Sequence, residues 1–185
     1  MGFSFPVDPC IRTGDSAASW GRATNDCCGD CVMNEIVLML HVVFGMGCLI
    51  AAVWLFVDVL HASEANLARI RTVSWAAATF MWLAFLIGGS WYVISYPADK
   101  AIILKGPWPF SHSFFMETKE HLVIMLLLLV TYLPIAASNN LASSKDARRL
   151  VLCVAALVAL LALAIEGEGA LIAMGVKVAL LARPH

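Results

Sequence analysis

The sequence predicts an all-α integral membrane protein: a four-transmembrane-helix, up-down-up-down bundle behind an N-terminal polar tail that contains cysteines. Three observations carry this expectation. Of 185 residues, 61% are hydrophobic and 14% charged, against about 45–50% and about 25% in soluble domains. Four long apolar stretches recur, each near the roughly 20 residues that cross about 30 Å of hydrocarbon. Leu and Ala dominate them and period-two alternation is absent, so they read as helices, which satisfy their own backbone hydrogen bonds in lipid. The same composition excludes a disordered chain. With 12 Lys and Arg against 13 Asp and Glu, no basic excess is left to hold phosphates, which argues against a nucleic-acid partner.

Residues 1–34 read as an extramembrane tail and 35–185 as the membrane domain. The tail holds Pro6, Pro9, Gly14, Gly21 and Gly29 together with Cys10, Cys27, Cys28 and Cys31. No apolar h-region follows Met1, so the tail does not read as a cleavable signal peptide. On the outer side of a membrane its four cysteines predict two disulfides, with three pairings open. A tail metal site is the alternative. Cys28 and Cys31 form a C-x-x-C pair, but Val32 follows it instead of His, so covalent haem attachment is not supported. Cys48 and Cys153 fall inside spans and read as small packing residues.

The spans run over about 35–60, 72–96, 118–137 and 149–182. The fourth is long. A clean apolar run, Leu150 to Ile165, is interrupted by Glu166-Gly167-Glu168-Gly169 and continues from Ala170 to Ala182, broken only by Lys177. The second run is too short for a fifth span. It reads as the overshoot of one helix, with the glycines as the natural place for a kink. No internal repeat is visible, which argues against a stand-alone transporter.

Arg69 and Arg71 lie in or beside the 61–71 connection, and Lys145, Arg148 and Arg149 in the 138–149 connection. That basic density predicts these short loops on the cytoplasmic side. Both termini and the 97–119 loop then face outward, to the periplasm of a bacterium whose inner membrane holds the protein.

Depth arithmetic carries the functional reading. His41 lies about 6 residues, or roughly 9 Å, below the outer end of the first span, and Glu166 about 16 residues, or roughly 24 Å, from the inner start of the fourth. His121 opens the third span from outside. His41, Glu117, Glu120, His121, Glu166 and Glu168 therefore come to similar depths on three helices. Ionisable residues inside spans are costly and mark functional sites. Small residues gather at the same level: His41, Gly45, Cys48 and Ala52 share one face of the first span, and Gly88-Gly89-Ser90 lie in the second. Such glycines let backbones, or a flat group and a backbone, come close. Trp91, Tyr92, Tyr96 and Gly106-Pro107-Trp108-Pro109-Phe110 read first as an interfacial aromatic belt, with a lid over a cofactor as the sharper alternative. His112 reads as a solvated loop residue, His61 as interfacial, and Asp58 as a boundary residue within reach of Arg69 or Arg71.

These residues predict a membrane electron-transfer subunit holding one b-type haem between the first and third spans. His41 and His121 are the axial ligands in that reading, and Gly45 and Gly89 the residues that make room for the ring. Glu166 and Glu120 are the candidate acid–base groups for exchange with a quinone or a redox partner. Glu166, between two apolar runs, must be protonated or paired, with Lys119, Lys105 or a histidine as partner. The alternative is a metal-binding protein or metalloenzyme in which His41, His121, Glu120 and Glu166 hold a copper, iron or zinc ion. It lacks the Glu-x-x-His pairs of di-iron bundles, because Thr118 stands three residues before His121. Met33, Met39, Met46 and Met116 permit copper(I), although methionine is common filler. A third reading is an accessory subunit of a larger membrane complex or a homo-oligomer, with the polar cluster as interhelical glue.

Overall fold

The structure, a computed structural model, describes residues 20–182, with side chains from residue 33 onward. Five α-helices follow one another: α1 (Trp20–Leu60), α2 (Leu67–Ile94), α3 (Tyr96–Lys105), α4 (Glu117–Ala137) and α5 (Lys145–Leu181). A π-helical segment, Ser111–Met116, leads directly into α4. No strand occurs among the described residues. Four helical stretches are long and apolar enough to cross a membrane, namely Met33–Leu60, Leu67–Ile94, Ser111–Ala137 and Lys145–Leu181.

Two boundaries differ from the sequence expectation. Residues 20–34, read as tail, are helical and continue α1. Leucine-rich periodicity begins only near residue 35, so the polar first turns gave no amphipathic signal. Cys10 lies outside the described residues, as do the side chains of Cys27, Cys28 and Cys31, so the disulfide and tail-metal expectations fall outside them too. Cys48 is a buried free thiol and Cys153 an exposed one. Residues 97–105, read as the start of the outer loop, belong to α3. Its start carries Pro97 with Asp99 in the first turn, and Lys105 closes the last turn, an arrangement that suits the helix dipole at both ends.

The two short connections are fixed by side-chain capping. In the 61–66 turn, Asn66 Nδ2 donates to the carbonyls of Asp58 (3.3 Å) and His61 (3.1 Å), and its Oδ1 accepts from the Ser63 amide (2.8 Å). In the 138–144 turn, Asn140 Oδ1 accepts the amides of Ala142 (3.1 Å) and Ser143 (3.2 Å), an Asx turn. Ser144 caps α5 by accepting the Ala147 amide at 3.3 Å. The turns meet through Arg71, which donates to the Ser138 carbonyl at 3.0 Å.

Packing follows from residue size. Lipid tails are as apolar as leucine, so helices associate in a bilayer through close packing and polar contacts. Cys48, Ala52 and Leu55 of α1, Ala77 and Met81 of α2, Leu126 and Val130 of α4, and Ala155 and Val158 of α5 make the main core. Large apolar side chains such as Trp75, Leu128 and Leu160 point outward, as lipid-facing positions should. Contacts step evenly between α1 and α2. Asp58 meets Arg69, Gly47 meets Phe80, His41 meets Ala84 and Asn34 meets Ser95. At the short-loop end, Arg69 grips buried Asp58 by two hydrogen bonds, Nε to Oδ2 at 2.8 Å and Nη2 to Oδ1 at 2.7 Å. This is the boundary pairing the sequence suggested.

At the other end, a second apolar cluster forms around Tyr96, Ile103, Met116 and Ile172, with Trp91, Tyr92, Phe115 and Val176 against it. Here α3 and the π segment lie along the last third of α5. A β-carbon at Gly106 would overlap Ala179, and one at Gly175 would press on Ser111. Glycine permits both close approaches.

Candidate functional site

The site lies at the end of the bundle opposite the short loops. His41 is half-buried on α1 and turned toward α2. Its Nδ1 is 2.8 Å from the Ala84 carbonyl oxygen. A carbonyl only accepts, so the proton sits on Nδ1, and Nε2 has no hydrogen-bond partner among the described residues. The imidazole rests against Gly88, where any β-carbon would overlap the ring. Gly89, which the sequence singled out, has open space beside it. The glycine that packing requires is therefore Gly88, one residue earlier and on the face toward α1.

Gly45, one turn after His41, is buried and makes room, but not for a flat cofactor. The carboxyl of Glu166 from α5 occupies the space a side chain at 45 would need. Buried Cys48 lies one turn further along α1, and its thiol senses the Glu166 charge. From α4, Lys119 reaches toward α5. Its Nζ lies 3.1 Å from where a β-carbon at Gly169 would stand, and its charge interacts with both Glu166 and Glu168. One oxygen of Glu168, Oε2, is buried without a hydrogen-bond partner among the described residues. Lys119 also acts electrostatically on His41. Side chains from α1, α4 and α5 thus converge on one level, in apolar surroundings.

The other sequence-selected residues go elsewhere. Glu120, one position after Lys119, projects toward α2 and accepts a hydrogen bond from Tyr92 Oη at 2.6 Å. His121 is exposed, with Nδ1 donating to the Glu117 carbonyl at 2.7 Å, and Glu117 is exposed as well. Helical geometry explains the split: residues at i and i+2 face nearly opposite ways. The fold therefore brings Lys119 to the level of His41 and Glu166, where its charge acts on both, and sends Glu120 and His121 to other faces. Among the described residues, no three His, Cys, Asp or Glu side chains gather as a metal cluster would require. The quartet His41, His121, Glu120 and Glu166 is not brought together. His61 is exposed, as expected, with Nδ1 on the Val57 carbonyl at 3.2 Å.

His112 corrects the sequence reading. It is buried, not solvated, and its Nδ1 shares a hydrogen bond of 2.9 Å with Tyr96 Oη. Tyr96 is itself only 2% exposed and stacks on Tyr92 with ring centroids 5.2 Å apart. Burial, reinforced by Tyr92, Asp99 and Glu120, holds the Tyr96 phenol well above its ordinary pKa, so it stays neutral. The aromatic residues that read as a belt include an ordered hydrogen-bonded cap at this end of the bundle. The pointer to it is the spacing of Tyr92, Tyr96 and Pro97, with one helical turn between the tyrosines. The signal for Lys119 is its place directly before Glu120 and His121, which turns it to the opposite face.

In comparisons with known proteins, the chain matches no family model, no curated protein and no solved structure.

Proposed function

We propose that the chain is a membrane electron-transfer subunit that exchanges protons with a quinone through the cluster built on Glu166. The arrangement belongs to an up-down-up-down four-span bundle in a bacterial inner membrane, with both termini on the periplasmic side and with a larger complex or further copies as partners. One observation carries the reading: the Glu166 carboxyl of α5 is lodged against Gly45 of α1, with the charge of Lys119 on α4 acting on it. A carboxyl and an amine in apolar surroundings are costly to keep. Proton exchange gives them a use that packing alone does not. Glu166 is the acid–base group, Lys119 positions and balances it, and His41 borders the site. Sidedness rests on the basic density of the short loops.

The experiment is quinol-dependent electron transfer by the complex purified from its native membranes through a tag on this chain. Glu166→Gln is expected to cut turnover at least tenfold with assembly intact. Unchanged turnover overturns the reading.

One observation favours a haem as the electron carrier. His41 and His121 both tie Nδ1 to a backbone carbonyl and leave Nε2 without a hydrogen-bond partner among the described residues; such a bond on the other ring nitrogen orients histidines that ligate a metal. A haem held by the two would supply one-electron chemistry. This reading comes second, because His41 is seated on α2 and His121 is exposed on α4. Purified protein with a Soret band that shifts in His41→Ala and His121→Ala supports it, and a featureless visible spectrum overturns it.

A further inference from the structure

We propose that the groove between α2 and α4 at the short-loop end is a binding site for one anionic phospholipid, with the lipid phosphate on Arg71 and one acyl chain lying between Trp75 and Trp82. The site shares no residue with the cluster around Glu166, so it stands apart from the proton-exchange reading.

The groove follows from residue size and helical spacing. Arg71, Trp75, Ala78 and Trp82 recur at steps of four, three and four, so they share one face of α2. Buried Ala78 and, from α4, buried Pro134 are small and set the floor, while Trp75, Trp82 and Ile135 stand exposed at the rims. The space between them is about 320 Å³, within the range of small-molecule sites. A bond between the two helices bounds each end. Trp82 Nε1 donates to Thr131 Oγ1 at 3.1 Å. One turn below Trp75, Arg71 Nη2 donates to the Ser138 carbonyl at 3.0 Å.

Charge and length identify the occupant. Arg71 is exposed, and the Ser138 carbonyl takes only one of the N–H donors of its guanidinium. No carboxylate among the described residues pairs with it: Asp58 is held by Arg69, and Asp146 lies near Arg149. The rest of this end is basic as well, with Arg69, Arg71, Lys145, Arg148 and Arg149 against Asp58, Glu64 and Asp146, an excess of two positive charges. A phosphate at Arg71 meets a planar fork of donors, the geometry in which arginine binds phosphate best. From Arg71 to Trp82 the chain climbs roughly 16 Å along α2, about half of a 30 Å hydrocarbon layer. The groove therefore has the depth of one leaflet, with its charge where the headgroup lies and its apolar floor where the chain lies.

The test is tryptophan quenching in the purified full-length protein, reconstituted in phosphatidylcholine vesicles. The vesicles carry either phosphatidylglycerol or phosphatidylcholine with brominated acyl chains, at the same mole fraction. The part of the quenching that is lost in Trp75→Phe reports the groove. There, wild type is expected to prefer phosphatidylglycerol over phosphatidylcholine by about fivefold, the factor one basic residue near an anionic headgroup supplies. Arg71→Gln is expected to bring that ratio to about one while quenching by phosphatidylcholine stays as in wild type, which shows that the groove still stands. Ala78→Leu fills the floor and is expected to reduce quenching by both lipids. Lys145→Gln, on α5 and outside the groove, is expected to keep the preference. A wild-type ratio near one overturns the proposal, as does a preference that survives Arg71→Gln. Loss of the preference in Lys145→Gln as complete as in Arg71→Gln assigns it to the general basic field of this end and overturns the site. Groove quenching that disappears as the protein-to-lipid ratio rises assigns the groove to a second copy of the chain and overturns it too.

Discussion

The imidazole of His41 lies against the bare α-carbon of Gly88, with its Nδ1 2.8 Å from the carbonyl of Ala84 one turn earlier on α2. The glycine leaves room for the ring, and the hydrogen bond holds the ring in that room. Gly88→Ala should therefore push the imidazole off its carbonyl and cost about 1–3 kcal/mol. Gly89→Ala, where nothing lies within reach, should be neutral or stabilise by up to about 1 kcal/mol through helix propensity. Reversible unfolding in mixed micelles compares the two. Equal costs would mean that His41 does not depend on Gly88.

Gly45 and Glu166 form a parallel pair. A methyl group at 45 must displace the carboxyl. Gly45→Ala is expected to destabilise the wild type by about 1–3 kcal/mol, and by much less in a Glu166→Ala background, where the space is vacated. A double-mutant cycle measures that coupling. Additive costs would separate the two residues.

Asp58 is buried and receives both hydrogen bonds from Arg69. Arg69→Ala leaves that carboxylate without its two donors and should lower stability, by an amount tempered by the exposure of the arginine. Pairing it with Asp58→Asn should recover part of the loss, because the stranded charge is gone. The readout is the denaturation midpoint of the single and double variants.

Tyr96 predicts an alkaline limit. Its phenol is held above its ordinary pKa, mainly by burial. The unfolded chain therefore releases the phenolic proton first as pH rises past about 10. The stability from the neutral buried phenol is fully present below that pH and is lost above it. Tyr96→Phe should flatten the alkaline fall. At neutral pH it should cost about 1–3 kcal/mol, since His112 Nδ1 loses its partner. Melting curves between neutral and alkaline pH test both parts.

The four apolar helices were legible in composition and run length, since hydropathy needs no knowledge of neighbours. Depth was legible in part: counting residues along the spans set His41 and Glu166 at one level, with Glu117, Glu120, His121 and Glu168, but did not single out Lys119. Azimuth was not. Low amphipathicity leaves helices such as α2 and α4 without a marked inward face, so sequence could not show that Glu120 turns to Tyr92 while Lys119 turns to α5. The same blindness exchanged Gly88 for Gly89. His112 was misread because its burial depends on α3 and the π segment folding back along α5, a long-range contact that no local pattern records.

The length of α5 bears on how the cluster meets its solvent. Its 37 residues extend roughly 55 Å at 1.5 Å per residue, well beyond a hydrocarbon layer of about 30 Å. Measured from Leu150, the first residue past the basic turn, that layer ends about 20 residues on, near Gly169. Counted this way, Glu166 and Glu168 fall toward one edge of that layer, away from its midplane. Acyl-chain length becomes a control knob: short-chain lipids lift the carboxyls toward water, and long-chain lipids submerge them. A membrane of changing thickness would retune the cluster without altering a single residue.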